Sequence, residues 1–140
     1  MDHYVKKGVS YKEFHMHDYI YNLSICSNGI LNVPKIIGYD PIKQIMTMEK
    51  INYMNVSDFY GEDEANISSD LFSQIRNIIT FLYDNHIIYP DITGYNFIEY
   101  DNKVWIIDFE HSDFKNNKTN DFVEKFVSRS NYNKWNPLFR

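Results

Sequence analysis

The chain has 140 residues, carries 14 Lys and Arg against 19 Asp and Glu for a formal charge of −5, and is 44% hydrophobic and 17% aromatic. That length supports one domain with its own core and is short for two. The acidic balance excludes a basic nucleic-acid coat, and the single Cys26 excludes an intrachain disulfide and a thiolate metal cluster.

No apolar run approaches the roughly 20 residues of a membrane span, and Met1 to Phe14 lacks the apolar stretch of a secretory signal. A soluble, intracellular, cytoplasmic protein without membrane or nucleic-acid partners is therefore expected. Phe, Tyr, Met, Ile, Asn and Lys make up 72 residues, whereas Ala, Gly, Arg and Pro make up 13. The first set uses AT-rich codons, which suggests the genome of a large DNA virus or a protist; a viral source would place the protein in host cytoplasm or virion.

In chain order, Tyr4-Val5-Lys6 reads as a short strand, followed by a helix from about Ser10 to Cys26 with Phe14, Ile20, Tyr21 and Leu23 as core contacts. Two strand-like runs, Val33 to Tyr39 and Gln44 to Met48, are split by Asp40-Pro41, so an antiparallel pair is expected. The acidic stretch Gly61 to Asn66 reads as a surface loop or hinge. After it, Leu71, Phe72, Ile75, Ile78, Ile79, Leu82 and Tyr83 recur at helical spacing behind a Ser68 or Ser69 cap. Short runs follow: Ile87 to Tyr89, then Asn96 to Tyr100 and Val104 to Ile107 as a hairpin across Asp101-Asn102-Lys103. A last amphipathic helix is expected over Asp121 to Val127, capped by Thr119 or Asn120. Residues 128–140 are polar, aromatic and unpatterned.

The chemistry concentrates in Tyr89-Pro90-Asp91-Ile92-Thr93-Gly94-Tyr95-Asn96 and, one hairpin later, Ile107-Asp108-Phe109-Glu110. Phosphoryl transfer needs one carboxylate to orient and deprotonate the attacking hydroxyl, and a second carboxylate with an amide oxygen to hold magnesium. Asp91, Asp108 and Asn96 supply those groups. D-x-x-x-x-N followed by Asp-Phe after an apolar strand resembles the protein-kinase-like superfamily, with Asp108-Phe109-Glu110 in place of D-F-G. The wording around Asp91 is similar to atypical Bud-type and small-molecule kinases, in which Thr93 stands where classical protein kinases carry Lys.

The resemblance implies an α+β, minimal protein-kinase-like fold: a short antiparallel sheet and one helix in a reduced N-lobe (1–50), a truncated, mainly helical C-lobe (51–127) and a tail (128–140). It implies Mg-ATP as cofactor, Asp91 as the catalytic residue, and Asn96 and Asp108 as magnesium ligands. Met48 becomes the gatekeeper, Glu49 to Ile51 offer backbone groups to adenine, and Lys6 or Lys7 contacts phosphate. His17 falls near the place of the usual Glu partner of that lysine, with Glu13 one turn earlier, a departure from the standard Lys–Glu pair.

Further departures are the missing glycine-rich strand, the short region after Glu110, and Glu110 itself, which could hold the loop, assist magnesium or mark decayed catalysis. His86 and His111 read as structural, and Trp105, Phe97, Phe109 and Tyr95 as core. Arg129, Lys134 and Arg140, interleaved with Tyr132, Trp135 and Phe139, read as a loose tail or as a cover for surface left by the truncation. Self-association, or a partner chain completing the fold, is expected from that truncation. The leading function is transfer of the γ-phosphate to a hydroxyl, Ser/Thr of a protein ahead of a small molecule. The competing class is a pseudokinase that binds nucleotide or a partner.

Overall fold

A computed structural model describes residues 2–139, and its first element is β1, His3–Lys7. Two further strands, β2 (Ile36–Asp40) and β3 (Ile45–Glu49), complete an antiparallel sheet in the order β1-β3-β2. β2 starts later than the apolar run because Pro34 has no N–H for a ladder, and its carbonyl is taken by His17. The turn at Pro41 is closed by Asp40 Oδ1, which accepts the N–H groups of Ile42 and Lys43 at 3.0 and 3.1 Å.

Helix α1 spans Tyr11–Ile25, with Ser10 Oγ accepting the Glu13 N–H at 3.1 Å as its N-cap. Its buried stripe is Glu13, Met16, His17 and Ile20, an i, i+3, i+4, i+7 set. Two of the four are polar, which is why the apolar periodicity of this segment looks loose. Phe14, Tyr21 and Leu23 are only partly buried.

The acidic loop is preceded by an unanticipated short helix, α2 (Val56–Tyr60), capped by Asn55 Oδ1 on the Asp58 N–H at 2.8 Å. Helix α3 (Ser69–Asp84) is capped by Ser68 and buries Leu71, Phe72, Ile75, Ile78, Ile79 and Leu82 as its spacing dictates. Strand β4 (Ile87–Ile88) then leads into the hairpin of β5 (Phe97–Tyr100) and β6 (Lys103–Ile106). Its two turn residues, Asp101 and Asn102, take φ of 57° and 58°, the left-handed pair that a tight twisted hairpin requires. β7 (Asp113–Phe114) pairs antiparallel with β4, and α4 (Asp121–Ser128) follows an Asn120 cap. The fold is thus α+β, a small antiparallel sheet with one helix and a mainly helical second part, as expected.

The tail is docked, and the expectation of a loose one is corrected. Arg76, buried on α3, donates to the carbonyls of Phe126 (2.7 Å), Ser130 (3.1 Å) and Tyr132 (2.8 Å) and to Asn133 Oδ1 (3.1 Å). Trp135 packs on Phe72 with ring centroids 4.6 Å apart. Arg129 and Lys134 are exposed and Lys134 lies over the ring of Tyr132; Arg140 lies outside the described residues. Arg76→Met strips four acceptors of their donor and is expected to cost about 2–4 kcal/mol, checked by urea unfolding and by faster proteolysis of the tail.

Two aromatics also depart from the core reading. Trp105 is half-buried with its indole N–H on the Tyr100 carbonyl, and Tyr95 is exposed and bonded to the Glu62 carboxylate. Among the described residues, no helix is long and apolar enough to cross a membrane.

Candidate active site

The strand period decides between the two adjacent lysines. On β1, Lys6 turns inward and is half-buried, while Lys7 falls on the opposite face, is exposed and does not line the cleft. Lys7 is therefore corrected out of the site. Lys6 Nζ donates to Glu13 Oε2 at 2.5 Å and lies 3.4 Å from Asp108 Oδ1.

The Lys–Glu pair is thus present, and Glu13 rather than His17 supplies it. Gly8, at φ 71°, turns the chain sharply after β1, and Ser10 starts α1 at once, so the first helical turn faces the strand end. His17, one turn on, is buried: its Nε2 bonds the Pro34 carbonyl at 2.8 Å, and its ring meets Phe109 edge-on at 4.9 Å. Burial pushes the His17 imidazole below its ordinary value, which favours the neutral ring.

Glu13 is only 4% exposed. Its burial raises the carboxyl above the ordinary glutamate value, against the downward pull of the Lys6 ammonium. For Lys6, burial works downward, but the Glu13 hydrogen bond and the charges of Asp108 and Glu13 outweigh it and hold the ammonium above the ordinary lysine value.

Asp91, Asn96 and Asp108 come from the loop and hairpin that follow β4. The backbone bends tightly after Pro90, with Ile92 N–H on Pro90 O (2.8 Å) and Thr93 N–H on Asp91 O (3.0 Å). Asn96 sits in a short 3-10 turn, Gly94–Asn96, and its Nδ2 donates to Asp91 O at 2.8 Å. Gly94 is demanded by close approach: a Cβ there would lie 3.2 Å from Trp135 Cζ2 and closer still to Ser57 Oγ.

β6 returns the chain to Asp108, whose Oδ1 accepts the Glu110 N–H at 3.0 Å, and whose carbonyl accepts the Tyr89 hydroxyl at 2.5 Å. Phe109 is buried between His17 and Tyr89. Glu110 acts on Asp108 through its backbone; its side chain is exposed and does not line the cleft.

Three of the groups described above, Lys6, Asn96 and Asp108, border a cleft of about 340 Å³ between the sheet and the hairpin. Met48, Glu49 and Ile51 line it as well, and Ile98 and Ile107 add apolar surface. The Glu49 N–H is taken by Lys35 O at 2.8 Å and the Lys50 N–H by Asp2 O at 3.0 Å, so neither can serve a ligand. The Ile51 carbonyl is likewise held, by the Tyr53 N–H at 2.9 Å. Among the described residues, the Glu49 and Lys50 carbonyls and the Ile51 N–H are the backbone groups of this segment left to meet a planar heterocycle.

Among the described residues, no three His, Cys, Asp or Glu side chains gather as a self-sufficient metal centre. Asn96, whose Nδ2 is committed to Asp91 O, keeps its Oδ1 for a cation, and Asp108 adds a carboxylate. One amide and one carboxylate oxygen fit magnesium, which keeps waters and takes phosphate oxygens for the rest of its shell.

His111, read from sequence as structural, has a more specific placement. Its Nδ1–H donates to Asp91 Oδ2 at 2.9 Å, and its ring stands 4.9 Å from that of Phe139. The Asp91 hydrogen bond raises the imidazole above its ordinary value against a smaller burial effect, helped by the charges of Asp91, Glu110 and Asp108. The available signal was its position three residues beyond Asp108, in a turn that folds back on the Asp91 loop.

Comparison with known proteins returns one family and a structural likeness. The family model of the RIO domain matches residues 3–130. No curated protein matches the chain in sequence. Among solved structures, the PK-1 kinase of Cydia pomonella granulovirus is similar, with a TM-score of 0.59 at 15% identity over 80% of this chain and 43% of that one. The chain thus spans less than half the length of that kinase, and at this identity the likeness concerns the fold.

Proposed function

The chain belongs to the RIO-domain family of protein-kinase-like atypical kinases, and from that premise we propose that it is a Mg-ATP-dependent phosphotransferase acting on a hydroxyl. The observation that carries the reading is the Glu13–Lys6–Asp108 chain of contacts beside a cleft that Lys6, Asp108 and Asn96 line, with Asp91 on the adjoining loop. Met48, Ile98 and Ile107 would pack against adenine, and the backbone groups left open at Glu49, Lys50 and Ile51 would meet its polar edge. Asn96 and Asp108 would hold magnesium, which would supply charge neutralisation at the phosphates.

Lys6, fixed by Glu13, donates to a phosphate oxygen. Asp91 accepts the hydrogen bond of the acceptor hydroxyl, aligns its oxygen on the γ-phosphorus and takes the proton as the bond to phosphorus forms and the bond to the ADP leaving oxygen breaks. His111 holds the second carboxylate oxygen and so fixes which one faces the acceptor. The acceptor in this reading is a protein Ser or Thr. A small-molecule hydroxyl competes, because the buried Thr93 stands where classical protein kinases carry lysine.

Calorimetric titration with MgATP tests the site. Binding is expected in the wild type, lost with EDTA and weakened at least about tenfold in Asp108→Asn, which keeps the shape of the side chain and removes its charge. No binding at millimolar nucleotide would overturn the reading and leave a partner-binding module.

A further inference from the structure

Asp91 is framed from outside the segment that the RIO-domain model matches. That match ends at residue 130, yet one residue of the tail holds the backbone on both sides of Asp91. Asn136 Nδ2 donates to the Pro90 carbonyl at 2.7 Å, and the Asn136 N–H donates to the Ile92 carbonyl at 2.8 Å. The amide is oriented by its own turn, since Asn136 Oδ1 accepts the Leu138 N–H at 3.1 Å. Asn136 is 1% exposed.

The surrounding tail is anchored on α3 as well as on the loop it grips. Arg76 ties down Ser130, Tyr132 and Asn133, and Trp135 fills the space under Gly94 against Phe72. Beyond Asn136, Phe139 stands against the ring of His111, which holds the Asp91 carboxylate. Backbone and carboxylate of Asp91 are therefore both referenced to residues 131–139.

We propose that Asn136 is a positioning residue for Asp91, and that the docked tail sets the geometry of phosphate transfer through it. The proposal rests on the phosphotransferase reading for its kinetic arm only. Among the described residues, the hydrogen bonds of Asn136 go to Pro90, Ile92, Leu138 and Phe139, none of which lines the cleft, so its substitution is expected to spare nucleotide affinity. Misplacing a reacting group by about 1 Å can cost about 10²-fold in rate, so a loss that falls on kcat alone is the expected signature.

The test compares wild type, Asn136→Ala and Asn136→Asp, the last of which turns a carboxylate toward the Pro90 carbonyl. Two quantities are read: the rate of phosphate transfer with KM for ATP, and the titration of His111 by NMR. The groups facing His111 are Asp91 from the loop and Asp108 and Glu110 from its own segment, with the uncharged Phe139 ring from the tail.

Both variants are expected to lose about ten- to a hundredfold in kcat with KM for ATP within twofold. The His111 titration is expected to fall back toward its ordinary 6.5 as Asp91 shifts away. Unchanged kcat with an unchanged His111 titration would overturn the proposal, as would parallel loss of kcat, nucleotide affinity and melting temperature, which marks a merely structural role. If the wild type transfers no phosphate, the phosphotransferase reading fails by itself and the His111 titration decides: a shift in the variants upholds positioning by Asn136, and no shift refutes it.

Discussion

Asp91→Asn is expected to lower phosphate transfer by roughly 10²–10⁴-fold, the range that a positioned general base contributes, while MgATP affinity stays within about twofold of wild type. The amide keeps the size of the carboxylate and cannot accept the proton of the acceptor hydroxyl. Nucleotide affinity is spared because Lys6, Asp108 and the Met48–Ile51 segment, not Asp91, line the cleft. The variant also carries an internal check on geometry. His111 loses its anionic partner, so its imidazole, raised in the wild type chiefly by the Asp91 hydrogen bond, is expected to titrate at a lower pH. Since the raised imidazole contributes stability below its unfolded value and loses it as pH rises through its folded value, that acid-side contribution disappears in the variant. Single-turnover transfer and an NMR titration of His111 read the two effects separately. Transfer at the wild-type rate would remove Asp91 from the chemistry.

The residues of this site divide by how locally each is determined. Asp91, Asn96 and Asp108 were legible because a short loop and a two-residue turn fix their spacing within one stretch of chain, and the intervening hairpin declares itself by strand alternation around Asp101-Asn102. The α3 helix was legible for the same reason, since its core face from Leu71 to Leu82 is apolar apart from Arg76. Glu13 was harder to assign, because its partnership with Lys6 depends on the Gly8 turn and on where α1 begins relative to β1, a three-residue detail with no periodic signature.

His111 and Asn136 lay further out of reach. Each acts through long-range contacts, 20 and 46 residues away from its partner in the chain, and a polar residue in an unpatterned segment gives no hint of which carboxylate or backbone group it will meet. Arg76 shows the converse: a charge on the apolar face of a helix looks like a defect in the pattern until the tail carbonyls it binds are in view.

Lys6→Met carries the second large effect, and its two consequences can be pulled apart. Removing the ammonium takes a donor from the phosphate site, which is expected to cost about 10²–10³-fold in kcat/KM, the scale of one preorganised electrostatic donor. It also leaves Glu13, 4% exposed, without its cation, and breaking a buried pair from one side costs about 3–5 kcal/mol. The double variant Lys6→Met/Glu13→Gln removes the orphaned charge and is expected to recover most of that stability and none of the transfer. Recovery of both would make Lys6 a scaffold residue only.

The pH dependence has a definite sign at each end. In the wild type the Lys6 value is raised, so its contribution is complete below 10.5 and fades as pH rises through the folded value; Lys6→Met lacks this alkaline loss. Glu13, already raised by burial, rises further once Lys6 no longer opposes it. A raised carboxyl is best tolerated when protonated, so the stability deficit of Lys6→Met is expected to shrink as pH falls from 8 toward 5, whereas a deficit that is flat across that interval would mean that Glu13 is not the group left exposed to the loss.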